Sequence, residues 1–213
     1  MRRVDPELLD QLPHGHPDGV RSRREIHLVN RLMGNHRWLC HTLSRRGGRE
    51  QRVLELAAGD GVLAYRARAN RRLDALHWKG LDLAPPPAQW PGDWEWHQRD
   101  VLAPHQLPDA DILVANMFLH HLRNEQLLSL GQRLPESCRM IVACEPVRRS
   151  IHAWQGILLS FFIGMSAVTY HDMLVSIRAG FVGRELPEAM GLPDWQTAVN
   201  HTPLGAYRFV AWR

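Results

Sequence analysis

Apolar residues recur every three or four positions between residues 26 and 43, which is the spacing of one buried helix face. Gly34-Asn35 interrupts this period, so we expect either one kinked helix or two short ones, ended by Arg45-Arg46-Gly47-Gly48. Ahead of it, residues 1–21 are expected to form a short helix with Asp5 as its cap and then a mobile arm rich in proline, glycine and histidine.

Short apolar segments alternate with helix-like segments through the rest of the chain. Strands are predicted at residues 53–56, 75–83, 94–101, 111–117 and 139–145. Helices are predicted at residues 63–72, 124–134, 148–168 and 170–180, and a terminal hairpin at 197–202 and 207–212. This alternation predicts an α/β fold, a doubly wound, Rossmann-like sheet of seven mostly parallel strands with a C-terminal antiparallel hairpin.

The length and composition are those of one ordinary globular domain. The 213 residues include 45% hydrophobic and 23% charged ones, and the net charge is +4. Arginine pairs are scattered along the chain rather than collected in one block, which favours solvated faces over a nucleic-acid surface.

The cysteines and the apolar runs indicate a cytoplasmic protein. Cys40, Cys138 and Cys144 form no Cys-x-x-Cys pair, and their odd number favours reduced, mostly buried thiols. The N-terminus has no signal-peptide core, and the most apolar run, residues 157–168, is shorter than the roughly 20 residues that cross a bilayer.

A glycine-containing turn follows the first predicted strand. Gly59-Asp60-Gly61 comes directly after residues 53–58, and a helix-compatible run follows it. Glycines let a ligand approach the backbone, and the N–H groups at the start of a helix favour an oxygen-rich or negatively charged group. We therefore expect a nucleotide-like ligand, although Gly59-x-Gly61-x-x-Ala64 also fits a dinucleotide fingerprint and such a turn is also compatible with a purely structural role.

Polar residues end the next three predicted strands. Ligands bind at the carboxyl ends of the strands in such a sheet, and these ends hold Asp82, Asp100-Val101 and Asn116. Asp82 lies 23 positions after Gly59, near the offset of about 20 residues at which an acid binds ribose hydroxyls. Asp100 with Val101 would suit an adenine, whose amino group would lie near the carboxylate.

Together these residues resemble the class I S-adenosylmethionine-dependent methyltransferases, and among them the small-molecule enzymes that methylate quinone and phenol precursors. The resemblance covers residues 50–147 and is carried by Glu55-x-x-x-Gly59-x-Gly61, Asp82, Asp100-Val101, and Asn116 followed by Phe118-Leu119-His120-His121-Leu122. It implies S-adenosyl-L-methionine as the cofactor and S-adenosyl-L-homocysteine as the product.

The resemblance also implies a role for each residue at the strand ends. The segment Gly59-Asp60-Gly61 would lie against the methionine part of the cofactor, and Glu55 would orient the loop or the amino group. Asp82 would hold the ribose and Asp100 the adenine, while Asn116 would lie beneath the methionine end. The full set expected at the cofactor is Glu55, Ala57, Gly59, Asp60, Gly61, Asp82, Leu83, Asp100, Val101 and Asn116.

Missing residues exclude one related class of enzyme and disfavour a second. A short-chain dehydrogenase would need Tyr-x-x-x-Lys, but the single lysine, Lys79, has Ala75 four positions earlier. Enzymes that methylate the amino groups of nucleic-acid bases carry two prolines after the fourth strand, whereas Asn116 is followed by Met117-Phe118-Leu119, so DNA methylation is not expected. The loop departs from the family near Ala57-Ala58, where a glycine or another small residue is usual, and is slightly bulkier here.

Methyl transfer to a phenol requires that the acceptor lose a proton, and histidine suits this at neutral pH. His120 and His121 follow the fourth strand, and His171 opens a later helix on the acceptor side. One of these three is expected to be the catalytic base, although each also fits a packing or capping role, and His36 is a fourth candidate. No metal site is expected, because His120 and His121 are adjacent and point in different directions.

The sequence therefore predicts a single methyltransferase domain acting on a small apolar or aromatic acceptor, at a hydroxyl oxygen, in small-molecule biosynthesis. The apolar segment 154–168 would either line the acceptor pocket or simply cover the fifth strand. An RNA methyltransferase and a non-catalytic S-adenosylmethionine-binding scaffold remain alternatives, and a homodimer is left open. The expected division is an N-terminal arm at 1–21 and one domain at 22–213, made of a helical cap at 22–46, a cofactor-binding core at 50–147, and acceptor-side helices and hairpin at 148–213.

Overall fold

Seven strands form one sheet in the computed structural model, which describes residues 2–13, 15–48 and 50–213. The strands are β1 (Arg52–Leu56), β2 (His77–Asp82), β3 (Glu95–Gln98), β4 (Ile112–Asn116), β5 (Met140–Pro146), β6 (Gln196–His201) and β7 (Ala206–Trp212). The helices are α1 (Pro17–Met33), α2 (Asn35–Arg46), α3 (Val62–Arg68), α4 (Asn124–Gln132), α5 (Ser150–Ile163), α6 (Ala167–Ala179) and α7 (Glu185–Ala189). None of these helices is long and apolar enough to cross a membrane.

The order of the strands is β3-β2-β1-β4-β5-β7-β6. The first five strands pair in parallel, and β7 runs antiparallel to both β5 and β6. This confirms the predicted fold class, including the terminal hairpin. The chain order reverses between β1 and β4, so the loops that leave these strands diverge and open a crevice at the carboxyl edge of the sheet.

Both faces of the sheet are covered, because successive side chains of a strand point to opposite sides. On β1, Val53 packs in one core with residues of α2 and α3, while Leu54 and Leu56 belong to the core on the other face. β5 is buried over its whole length, since its side chains enter both cores in alternation. The three cysteines are buried free thiols in these two cores, as the sequence predicts.

Glycines divide the helical regions more finely than the apolar pattern shows. Gly34 has a φ of 68° and separates α1 from α2, which confirms the predicted interruption there. The single helix predicted over residues 148–168 is wrong, because Gly164 has a φ of 60° and ends α5, and Ser166 then caps the start of α6. The chain therefore forms two separate helices here, and residues of both line the cavity described below.

The N-terminal residues are folded differently from their prediction. In place of the short helix with Asp5 as its cap, a 3-10 turn forms at Leu9–Gln11. The predicted boundary at residue 21 falls inside α1, which begins at Pro17 with His16 as its cap. Met1 and His14 of the predicted arm lie outside the described residues.

Hydrogen bonds attach the start of the chain to the domain. The Asp172 carboxylate on α6 accepts hydrogen bonds from the backbone N–H groups of Leu8 and Leu9, at 2.7 and 2.9 Å. Arg2 donates to the carbonyl oxygen of Ala179 at 3.1 Å. These contacts bring the Glu7 side chain into the interior.

Candidate functional site

The loop between β1 and α3 makes the tight turn that its glycines predict. Gly59 and Gly61 have φ values of 54° and 69°, which L side chains rarely adopt. A Cβ added at Gly59 would meet open space, so a ligand can approach the backbone there. At Gly61 it would lie 3.0 Å from the Trp90 ring. Ala57 also has a positive φ, 50°, although it carries a side chain.

Asp82 joins the end of β2 to this loop. Its carboxylate accepts hydrogen bonds from the N–H groups of Gly59 and Ala84, both at 2.8 Å. An ionised carboxylate has about four acceptor sites, so these two bonds leave acceptor capacity for a ligand. The interaction fixes the spacing between the first two strand ends.

The residues after β3 combine a carboxylate with apolar surface. Asp100 accepts a hydrogen bond from the N–H of Leu102 at 2.8 Å, and Val101 beside it is buried. Leu83, which follows β2, is apolar and yet 70% exposed. These residues line the same space as Asp82, so a flat apolar ring with polar edges would fit between them.

Glu55 lies at the bottom of this space and is buried. Its carboxyl group accepts a hydrogen bond from Trp78 Nε1 at 2.8 Å. Burial is the largest influence on its pKa and raises it; the bond from Trp78 lowers it, and the nearby Asp82 charge raises it further, to about 8. Glu55 is therefore mostly protonated at neutral pH and acts as an uncharged anchor between β1 and β2.

Asn116, at the end of β4, is held by the N-terminal helices. Its Nδ2 donates to Asn30 Oδ1 at 3.1 Å and lies 3.3 Å from His36 Nε2. Burial, with the nearby charges of Arg66 and His27, lowers the pKa of His36 to about 4, so the ring is neutral and accepts this bond. The Asn116 Oδ1 atom is buried and has no hydrogen-bond partner among the described residues.

These residues line one continuous space at the carboxyl edge of the sheet, which we call the strand-end cleft. Its volume is about 550 Å³. Nine of the ten residues predicted at the cofactor line it, namely Glu55, Ala57, Gly59, Asp60, Asp82, Leu83, Asp100, Val101 and Asn116. Gly61, the tenth, lies beneath Trp90 and not in the wall. His36, the fourth histidine considered, is also part of the lining.

A second space, which we call the helix-lined cavity, has a volume of about 490 Å³. Its walls come from α1, α5 and α6 and are mostly apolar, with Val29, Leu159 and Met173 as examples. The cavity shares a boundary with the strand-end cleft, because five residues line both: Glu7, Ile26, Asn30, Met117 and His121. Met117 has a φ of 55°, an unusual conformation at the point where the two spaces meet.

Titratable side chains gather at this boundary. His120 is 2% exposed; its Nδ1 lies 2.7 Å from Glu145 Oε2, and its Nε2 lies 3.5 Å from Glu7 Oε1. Burial alone would lower the pKa of His120, but the hydrogen bond to Glu145 and the contact with Glu7 outweigh it and raise the pKa to about 9. Glu145 is fully buried and accepts further bonds from the backbone N–H groups of residues 118–120.

His121 belongs to the same cluster. Its Nε2 lies 3.8 Å from Glu7 Oε1, and its Nδ1 lies 3.4 Å from Asp10 Oδ2. The expectation that His120 and His121 point in different directions is wrong, because their ring centroids are 4.3 Å apart and both rings face Glu7. The Glu7 carboxylate accounts for this arrangement, since the Nε2 atoms of both histidines approach it and the N-terminal residues bring it to this place only in the folded chain.

His171 lies apart from this cluster. Its side chain is 46% exposed, is 2.9 Å from Asp172 Oδ1, and lines neither space.

Conversely, sequence reasoning missed Glu7, Asp10 and Glu145. Glu145 is the last residue but one of β5, at the same sheet edge, so the rule that identified the other strand-end residues was sufficient to find it. No local pattern marks Glu7 or Asp10.

Comparisons with known proteins identify the fold. No protein-family profile and no curated protein sequence matches this chain. Among solved structures, the plantazolicin methyltransferase BpumL, in complex with a pentazolic desmethylPZN analogue and SAH, matches with a TM-score of 0.67 and 10% identity. The match covers 92% of this chain and 91% of that one.

Two longer proteins match as well. Human N-acetylserotonin methyltransferase in complex with SAM has a TM-score of 0.60 and 14% identity, over 96% of this chain and 61% of that one. The pyocyanin biosynthetic protein PhzM has a TM-score of 0.63 and 15% identity, over 98% of this chain and 62% of that one. This chain thus spans about three fifths of those two proteins. It has the methyltransferase fold that the resemblance predicted.

Proposed function

We propose that this protein is an S-adenosylmethionine-dependent methyltransferase whose acceptor is a small apolar or aromatic molecule. The observation that carries the proposal is the shared boundary of the two spaces. A polar cleft built from strand ends meets an apolar cavity at Glu7, Met117 and His121. A transferase needs such an arrangement, since both substrates must reach one point with their reacting atoms about 3–3.5 Å apart.

The strand-end cleft fits the cofactor in several respects. The open space beside Gly59 accepts close contact, and the remaining acceptors of Asp82 suit ribose hydroxyls. The buried Asn116 Oδ1 lacks a donor, which the amino group of the methionine part would supply. Asp100 and Leu83 suit an adenine edge and face. When bound there, S-adenosylmethionine would supply a methyl group activated by its sulfonium charge.

The helix-lined cavity favours an apolar acceptor. Neither arginine nor lysine lines it in the described part of the chain, which disfavours RNA as the acceptor. The cavity is also large enough for a small molecule, and this disfavours a scaffold without an acceptor site. The structural neighbours named above include a methyltransferase of N-acetylserotonin and one crystallised with azole-containing analogues. Small aromatic acceptors are therefore a reasonable first panel.

An acceptor hydroxyl would lie at the boundary of the two spaces. The oxygen would attack the methyl carbon as the carbon–sulfur bond breaks, S-adenosylhomocysteine would leave, and the hydroxyl proton would pass to water at this boundary. Glu7, His120 and His121 lie at this point, and we assign to the two histidines the task of stabilising the oxyanion. His171 has no part in this assignment, because it lines neither space.

The test has a binding step and a reaction step. S-adenosylhomocysteine should raise the melting temperature of the protein, and labelled S-adenosylmethionine should pass its methyl group to members of a panel of phenols and hydroxyquinones. Aniline analogues of the same shapes serve as controls for oxygen specificity. Absence of any shift in melting temperature would contradict the proposal at its first step, and label in RNA rather than in small molecules would contradict the assigned acceptor.

A further inference from the structure

The boundary cluster has the composition and spacing of a metal site. One oxygen of Glu7 and one nitrogen each of His120 and His121 all lie within 4.8 Å of one another. We propose that Glu7, His120 Nε2 and His121 Nε2 together bind one divalent transition-metal ion such as Zn²⁺. Two imidazoles and one carboxylate are a ligand set that suits zinc and its neighbours better than Mg²⁺ or Ca²⁺.

The distances agree with a single ion between the three groups. A tetrahedral ion with bonds of about 2.0–2.1 Å holds neighbouring ligand atoms about 3.4 Å apart. Glu7 Oε1 lies 3.5 Å from His120 Nε2 and 3.8 Å from His121 Nε2. Only small side-chain movements are needed to complete the coordination.

The far nitrogen of each histidine already has a partner of the kind that metal ligands use. His120 Nδ1 lies 2.7 Å from Glu145 Oε2, and His121 Nδ1 lies 3.4 Å from Asp10 Oδ2. Carboxylates in this position hold the Nδ1 proton, so Nε2 is the nitrogen that gives up its proton when a metal ion binds. Glu7 is held in turn by a hydrogen bond from Ser176 Oγ. The cluster thus has its outer contacts in place on all three ligands.

A second and independent observation is the state of His120 Nε2. This atom is completely buried and has no hydrogen-bond partner among the described residues, and Glu7 Oε1, at 3.5 Å, is its ion-pair contact. A buried polar nitrogen without a partner costs about 1–3 kcal/mol. A metal ion bound between His120 and Glu7 would satisfy it.

Three protein ligands leave a fourth position on a tetrahedral ion, as in catalytic zinc sites. Because Glu7 and His121 line both spaces, this position would be open to the acceptor. This part of the inference rests on the proposed function. The ion would bind the hydroxyl oxygen and lower its pKa, the proton would pass to water, and the oxygen would then accept the methyl group as the carbon–sulfur bond breaks.

Metal binding can be measured without any methyl transfer. The full chain, purified without a histidine tag and freed of metal by a chelator, is titrated with Co²⁺ and Zn²⁺ by calorimetry, and the Co²⁺ form is examined by visible spectroscopy. We expect one site per chain and d–d bands typical of a four-coordinate ion with nitrogen ligands. His121→Ala should weaken Co²⁺ binding about 100-fold or more, and Asp10→Asn about 10-fold through the lost contact to His121 Nδ1.

His41→Ala is the matched control, because His41 is exposed on α2 and lines neither space. It should bind Co²⁺ as the wild type does. The S-adenosylhomocysteine shift in melting temperature is measured on every variant, so a folding defect or a failure of the proposed function is seen separately. Absence of stoichiometric binding in the wild type, or binding that is equal in His121→Ala and His41→Ala, would overturn the metal site.

Discussion

The strand-end cleft and the helix-lined cavity differ in how the chain builds them. The cleft takes its chemistry from residues that end parallel strands, such as Asp82 and Asn116, each fixed by the register of the sheet. The cavity takes its shape from helix faces far apart in the chain, such as Val29 of α1 and Met173 of α6. The cleft is thus set by local sequence and topology, whereas the cavity is set by how helices pack against one another.

The largest effect is expected at Asp82, which belongs to the cleft alone. Asp82→Asn keeps the shape but removes the charge that would accept two ribose hydroxyls and that now accepts the N–H groups of Gly59 and Ala84. Hydrogen bonds to a charged group contribute about 1.5–3 kcal/mol each, so affinity for S-adenosylhomocysteine should fall about 100-fold. Calorimetry measures the affinity directly.

Asp74→Asn, at an exposed position before β2, is the matched control and should leave the affinity unchanged. If Asp82→Asn instead bound S-adenosylhomocysteine as tightly as the wild type, the ribose would not lie at Asp82. The carboxylates at the strand ends would then not be what makes the cleft, rather than the cavity, the cofactor site.

A change in the cavity should separate acceptor from cofactor. Leu159→Trp adds a large ring to the wall formed by α5, so the KM for a bulky acceptor should rise about 10-fold or more, while cofactor affinity stays the same. Leu28→Trp, an exposed position on α1 that lines neither space, is the control for the same substitution. Steady-state kinetics with acceptors of increasing size would detect the effect, and an equal response of both variants would contradict it.

The same difference explains what could be predicted from the sequence. Asp82, Asp100 and Asn116 are found by locating strand ends, since strand ends in a doubly wound sheet share one edge. The sheet itself follows from alternating apolar segments, which burial on two faces requires. These inferences use only neighbours in the chain and one topological rule.

The cavity required information that neighbours in the chain do not carry. Glu7 reaches the boundary because Asp172, more than 160 residues away, binds the backbone N–H groups of Leu8 and Leu9. His120 and His121 share an orientation because the Nε2 atoms of both approach the Glu7 carboxylate. Tertiary packing decides the position of Glu7 and the orientation of the two histidines, so the spacing of residues in the sequence could not predict the proposed metal site.

The pH dependence of stability gives a smaller effect at the bottom of the cleft. The pKa of Glu55 is raised from 4.5 to about 8 in the folded protein, mainly by burial. Between these values the unfolded chain loses the proton while the folded chain keeps it, so this group's contribution to stability falls as pH rises from about 5 to about 8. Glu55→Gln resembles the protonated acid and can still accept from Trp78 Nε1, so its melting temperature should fall less over this range.

Glu125→Gln, at an exposed site on α4, should follow the wild type at every pH. Glu55→Gln and the wild type are compared at the same pH, so the contribution of His36 to stability cancels in the difference. That contribution has the opposite sign, because a folded-state pKa of about 4 makes His36 stabilising above its unfolded-state pKa and progressively less so as the pH falls below it. A Glu55→Gln protein with the same pH profile as the wild type would indicate that Glu55 is ionised in the cleft.

The smallest effect is expected in the loop itself, where two adjacent alanines have opposite requirements. Ala57 has a φ of 50°, which costs a residue with a Cβ about 1–2 kcal/mol, whereas Ala58 has no such conformation and is buried. Ala57→Gly removes the strain but adds about 0.4–1 kcal/mol of unfolded-state entropy, so it should raise the unfolding free energy by about 1 kcal/mol or less. Ala58→Gly gains nothing and should lower it by about 1 kcal/mol. Urea denaturation of the two variants measures the sign of each change in unfolding free energy. If Ala57→Gly lost as much stability as Ala58→Gly, the loop would not be strained at Ala57. Its tight turn at the cleft would then come from Gly59 and Gly61 alone.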